Sequence, residues 1–198
     1  MQNKKLVVAS GNLGKIREIK QILPICDVIG YKDLVGELDI RESGHTFYEN
    51  ALIKVMAVYN KIGYPVLADD SGLMVDALMG APGVYSARYA GDGIDAHNIE
   101  KLLTVLGDNV NRTAKFVCCV VYYDGSKIIT ETGETYGKIL YQKTGSNGFG
   151  YDAVFFSNDL KKSFGEATEN EKNSVSHRAR ALEKIKHSIE CFIQTGNC

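Results

Sequence analysis

Residues 114–123, AKFVCCVVYY, most constrain what this chain can fold into. The run is rich in β-branched and aromatic residues and nearly free of charge. A strand of that composition is covered on both faces, so it predicts a central strand. Asp124-Gly125 follows at once and is a hairpin turn signal. Residues 127–135 are then its antiparallel partner. A hairpin at this position argues against a purely parallel, doubly wound sheet. Cys118 and Cys119 are neighbours on the strand, so their side chains point to opposite faces.

Helical and strand signals alternate around this hairpin. Residues 5–9 (KLVVA) read as a buried strand, broken by Ser10-Gly11-Asn12-Leu13-Gly14-Lys15. Ile16, Ile19, Ile22 and Leu23 recur at helical spacing until Pro24 ends the helix. A strand, a Gly-rich turn and a helix N-terminus together offer backbone N–H groups to an anion, and Lys15 adds a charge. The turn matches neither full phosphate-loop pattern, so a plain connection is the competing reading. Residues 26–30 suggest a second strand. Thr46 and Glu49 form a capping box ahead of a helix with Phe47, Ala51, Val55, Val58, Tyr59 and Ile62 on one face. Asn50 and Lys54 share another face. Lys54 reaches a phosphate if that face lines a cleft, and is a solvated charge otherwise. Residues 95–106 form a helix with a stripe of Ile99, Leu102, Leu103 and Leu106. The last helix, 176–193, has Ala179, Leu182, Ile185, Ile189 and Phe192 inside. The fold class is α/β, a mixed sheet flanked by helices, in a single domain over residues 1–198.

The formal net charge of −1 argues against a broad nucleic-acid-binding face. The N-terminus lacks a signal-peptide pattern, and no run reaches the ~18 apolar residues of a membrane span. The five cysteines are odd in number and lack a C-x-x-C, so all are expected to be reduced, in a cytoplasmic protein.

The chemistry concentrates after residues 66–68, where an apolar strand feeds Asp69 and Asp70. On a regular strand these carboxylates face opposite sides. They read either as a cap on a turn at Ser71-Gly72 or as a Mg²⁺ ligand and a water-orienting base, with substrate phosphates completing the metal's shell. Lys15, Lys54, Arg88, Lys172 and Arg178 are the cations expected near phosphate. Phe149 and Tyr151, in the Gly-rich segment 145–152, either stack on a base or cover a core edge. Arg178 in the first turn of the last helix opposes the helix dipole, which makes sense if it faces an anion or a polar ligand group.

Five segments in order resemble one family. They are SGNLGK at 10–15; ESGHTFYENA at 42–51 with Lys54; ADDSGL at 68–73 continuing to GAPGVYSAR at 80–88; GFGYD at 148–152; and EKN at 171–173 with SHR at 176–178. Together they are similar to the Ham1-like, inosine triphosphate pyrophosphatase family. The resemblance implies an elongated mixed sheet in two lobes with a central cleft. It implies Mg²⁺-dependent hydrolysis of ITP, dITP and XTP to the monophosphate and pyrophosphate, by a cytoplasmic homodimer with no nucleic-acid or membrane partner. Asp70 would be the catalytic carboxylate and a metal ligand, with Glu42 a second ligand. Ser10, Gly11, Asn12, Leu13, Gly14, Lys15 and Lys54 would hold phosphates. Ser71, Phe149, Gly150, Tyr151, Asp152, Lys172, His177 and Arg178 would contact the nucleotide. Two positions depart from the family pattern. Ala153 replaces a proline, and Arg41 stands where an acidic residue would precede Glu42. A phosphosugar hydrolase and a non-catalytic nucleotide-binding module are the competing functions.

Overall fold

A computed structural model describes residues 5–195, with side chains to residue 191. Six strands form one sheet, β1 (Lys5–Val8), β2 (Asp27–Gly30), β3 (Val66–Val75), β4 (Thr113–Tyr123), β5 (Ile128–Ile139) and β6 (Phe155–Ser157), in the order β2-β1-β3-β4-β5-β6. The β1 pairings with β2 and β3 are parallel, and β5 with β6 is antiparallel, so the sheet is mixed. β4 and β5 are sheet neighbours joined by the expected turn, where Asp124 N–H donates to Lys127 O. The helices are α1 (Leu13–Ile22), α2 (Lys32–Val35), α3 (Phe47–Ile62), α4 (Asp95–Leu106), α5 (Glu169–Val175) and α6 (His177–Thr195).

The chain divides into two compact units. The first comprises Met1–Asp70, Cys118–Gly133 and Arg178–Cys198. It has an apolar cluster on each face of its strands. Leu6, Val8, Leu67, Cys118 and Val120 face α1 and α6, packing with Ile19, Leu182 and Ile185. Val7, Ala9, Val66, Ala68, Cys119 and Val121 face α3, packing with Ala51, Val55 and Val58. The opposite orientations of Cys118 and Cys119 follow the alternation of a strand. The Thr46–Glu49 capping box is formed, and Gly63 closes α3 in the left-handed conformation. The second unit, Ser71–Val117 with Glu134–His177, has one cluster built on Leu73, Val75, Leu102, Phe116, Phe155 and Phe164.

Three expectations need correction, and one element is new. β3 does not stop at Asp69-Asp70. It continues through Ser71-Gly72 to Val75, because Leu73 and Val75 keep the strand alternation and enter the second unit's core. A helix is present at α5, ahead of the last one, and Thr168 with Glu171 forms its capping box. On α6, Ala181 rather than Ala179 is buried in the core. Phe192 lies outside the residues with described side chains. Cys26, Cys118 and Cys119 are free, but Cys191 is disulfide-bonded, so the expectation of five reduced thiols fails there. An odd count without C-x-x-C argues against a framework of bridges, not against one bridge. Cys198 and residues 1–4 are outside the described residues. No described helix is long and apolar enough to cross a membrane.

Candidate active site

In the first unit, Asp69 and Asp70 lie in the middle of β3 and face opposite sides. Asp69 points toward α1 and α6. Its Oδ2 accepts from Arg178 Nη2 at 3.0 Å and Nε at 3.3 Å, and the Lys15 ammonium is 3.1 Å away. Arg178 Nη1 also donates to Glu18 on α1. The guanidinium is 1% exposed and is the largest fully buried side chain described. Burial would pull its proton off, but the Asp69 and Glu18 charges raise its pKa instead. Arg178 therefore faces the protein's own carboxylates, where an anion or a polar ligand group was expected.

Asp70 points toward α3. Lys54 Nζ donates to its Oδ1 at 2.8 Å, and Asn50 Nδ2 donates to its Oδ2 at 3.3 Å. The same Lys54 ammonium is 3.4 Å from Glu42 Oε1. Lys54 is buried, so the solvated-charge alternative does not hold. Burial alone would lower its pKa, yet Asp70, Asp69 and Glu42 together raise it, and the ammonium persists. Burial raises the Asp70 pKa, against the lowering influence of Lys54 and Lys15.

Asn50 explains why Glu42 reaches this side. Its Oδ1 accepts the Gly44 N–H at 2.8 Å while its amide donates to Asp70, tying the segment before α3 to β3. A Cβ at Gly44 would stand 2.6 Å from Glu49 Cβ and 2.8 Å from that Asn50 oxygen, so only glycine allows the approach. Two carboxylates thus gather around one ammonium. This donor set suits Mg²⁺, which typically draws one or two carboxylates from a protein and takes its remaining oxygens from phosphate and water. Among the described residues no cluster of three or more His, Cys, Asp or Glu side chains forms a metal cage.

The 10–15 segment is half turn and half helix. Ser10 Oγ accepts the Asn12 N–H at 3.1 Å, and Asn12 caps α1 by accepting the Lys15 N–H at 3.1 Å. Gly11, Asn12 and Leu13 are exposed. Helix geometry leaves the first amides of α1 without partners inside the helix, which suits an anion.

In the second unit, Asp152 organises the 148–152 loop. Its Oδ2 accepts the Phe149 N–H at 2.8 Å and the Lys172 ammonium at 2.5 Å. Gly148 is needed here, since a Cβ would fall 2.0 Å from that carboxylate oxygen. Lys172 also lies over the Phe149 ring, 4.5 Å from its centroid. Phe149 and Gly150 are half-buried. Tyr151 takes the core reading: it is buried, and its hydroxyl donates to Ser86 O at 2.9 Å. His177 is buried and stacks on Phe116 at 4.8 Å. Ser71 is half-buried at the start of this unit, and Arg88 ends a short 3-10 segment with its guanidinium over Tyr85.

Two residues that sequence reasoning overlooked are Glu18 and the structural role of Asn50. Glu18 follows Lys15 by three positions, so an acid on the inner face of α1 was a readable signal.

A family model described as the Ham1 family matches residues 6–188. A dITP/XTP pyrophosphatase of Treponema denticola is 44% identical over 191 residues, covering 94% of this chain and 98% of that protein. One from Staphylococcus epidermidis is 46% identical over 187 residues, covering 93% and 96%. Among solved structures, the Staphylococcus aureus Ham1 protein matches with a TM-score of 0.85 and 42% identity, covering 94% of this chain and 98% of that one. A HAM1 protein from Coxiella burnetii matches with a TM-score of 0.85 and 36% identity, covering 94% and 98%. The chain belongs to the Ham1 family.

Proposed function

We propose that this protein is a nucleoside triphosphate pyrophosphatase, hydrolysing dITP, XTP and ITP to the monophosphate and pyrophosphate. The observation that carries the reading is the Asp70–Lys54–Glu42 cluster, in a chain whose relatives carry the name dITP/XTP pyrophosphatase across almost their whole length. Residues 1–198 serve this one activity, as a cytoplasmic homodimer.

Asp70 and Glu42 would hold Mg²⁺, which when bound offsets charge on the triphosphate oxygens. Asp70 orients a water and accepts its proton as that water attacks the α-phosphorus. Lys54, beside Asp70, and Lys15, at the capped start of α1, balance the charge of the leaving pyrophosphate. Ser10, Gly11, Asn12, Leu13 and Gly14 present backbone to the phosphates.

Arg178 is committed to Asp69 and Glu18, so we assign it to positioning Asp69 rather than to reading the base. Base selection then falls to the 148–152 loop. Phe149 offers a ring face; the Phe149 and Gly150 amides are already bonded to Asp152 and Asp95, so the donor to the 6-oxo group of inosine or xanthosine is another backbone N–H of the loop. A donor facing the 6-amino group of adenosine would stay unpaired, at a cost of roughly 1–3 kcal/mol.

The test is pyrophosphate release from ITP, XTP, dITP, ATP and GTP, with and without Mg²⁺. The reading expects metal-dependent release from the first three well above the last two. Equal turnover of ATP and GTP, or hydrolysis of phosphosugars alone, would overturn it.

A further inference from the structure

The loop carrying Phe149 is fastened at three successive residues, all within the second unit. Phe149 N–H donates to Asp152, Tyr151 O–H donates to Ser86 O, and Gly150 N–H donates to Asp95 Oδ2 at 2.8 Å. The first bond is internal to the loop and the second ends on a backbone carbonyl. The third alone of these depends on a side chain brought from elsewhere in the chain, the first-turn carboxylate of α4. Ala153 stands where the family pattern has proline. A proline would have limited the backbone from within, and here the limits come from partners.

We infer that Asp95 is a positioning residue that sets the Phe149 ring for the nucleotide base. The inference rests on the proposed function and extends it to a residue outside the 148–152 segment. Asp95 does not touch the base. Its carboxylate takes the amide next to Phe149, so the ring and the Lys172 ammonium above it stay in register. A hydrogen bond from an amide to a charged acceptor is stronger than one between neutral groups, and removing the acceptor frees the amide.

The experiment compares Asp95→Ala, Asp95→Asn, Phe149→Ala and the double variant Asp95→Ala/Phe149→Ala. Asp95→Ala should raise KM for ITP roughly threefold to tenfold, the range of one net hydrogen bond, and change kcat less. Asp95→Asn keeps an acceptor oxygen and should recover most of the loss. In the Phe149→Ala background the Asp95 substitution should have no further effect on KM, because the ring through which it acts is gone. A merely structural role at the start of α4 would instead lower Tm and persist unchanged in both backgrounds.

Amide exchange over residues 145–154 gives a readout independent of activity. Asp95→Ala should speed it and Asp95→Asn should not. Unchanged exchange, or an equal KM effect with and without Phe149, overturns the inference. A wild-type protein that releases no pyrophosphate from ITP would overturn the proposed function instead, and the exchange readout would still decide whether Asp95 holds the loop.

Discussion

The two faces of β3 at Asp69 and Asp70 are one residue apart and electrostatically different. On the α1/α6 face, Asp69 and Glu18 share a buried guanidinium, and Lys15 adds a second cation at Asp69. On the α3 face, Asp70 and Glu42 share one ammonium. The first face pairs its charges closely, as an anchor requires. The second keeps a carboxylate whose ionisation burial opposes, the group proposed above to hold a cation and accept a proton. A buried ion network therefore does two jobs on one strand, and alternation along the backbone keeps them apart.

The largest effect that can break this comparison is on stability. Arg178→Ala removes the shared partner of two buried carboxylates and should cost about 3–5 kcal/mol in denaturant unfolding. A loss below about 1 kcal/mol would put the pair in the class of solvent-exposed bridges and erase the distinction between the faces.

A smaller effect sharpens the other side. The folded Asp70 carboxyl has a pKa above its ordinary 3.8, chiefly through burial. A carboxyl raised in this way holds its proton more tightly in the folded state, so its ionisation costs stability. Its contribution is full below the unfolded value and is lost as pH rises through the folded value. Asn at 70 avoids that cost but leaves the buried Lys54 ammonium without its 2.8 Å carboxylate partner, a loss that does not change with pH in this range. Measured against Asp70→Asn, the wild type should therefore gain stability as pH falls from 7 toward 3.8. A wild type that loses stability against Asp70→Asn on acidification would reverse the sign assigned to Asp70.

Much of this was legible in the chain. The 114–123 strand, its Asp124-Gly125 turn and the Thr46 capping box are local signals, and each forms where residue chemistry places it. Asn50 and Lys54 could be put on one helix face by spacing alone. Their convergence on Asp70 could not, because it depends on packing α3 across the sheet. The end of β3 was misread because Ser71-Gly72 looks like a turn, and the burial of Leu73 and Val75 overrides that preference. The α5 helix was missed although Thr168 and Glu171 spell its cap, since seven residues give too short a run for periodicity to register. Arg178 was expected at an anion from its helix position. That the anions would be Glu18 and Asp69 is a long-range fact, set by how α1 and α6 pack on one face of the first unit.

The most direct measurement places the same substitution on both faces. Asp69→Asn and Asp70→Asn are assayed in parallel for ITP turnover per folded molecule, with unfolding midpoints recorded for each. Asp70→Asn should lose about 10²–10⁴-fold in turnover with its fold intact, the range of a lost general base. Asp69→Asn should lose stability and keep turnover within about tenfold, a barrier change of ~1.4 kcal/mol. Wild-type turnover in Asp70→Asn, or the larger catalytic loss in Asp69→Asn, would contradict the division of labour between the two carboxylates.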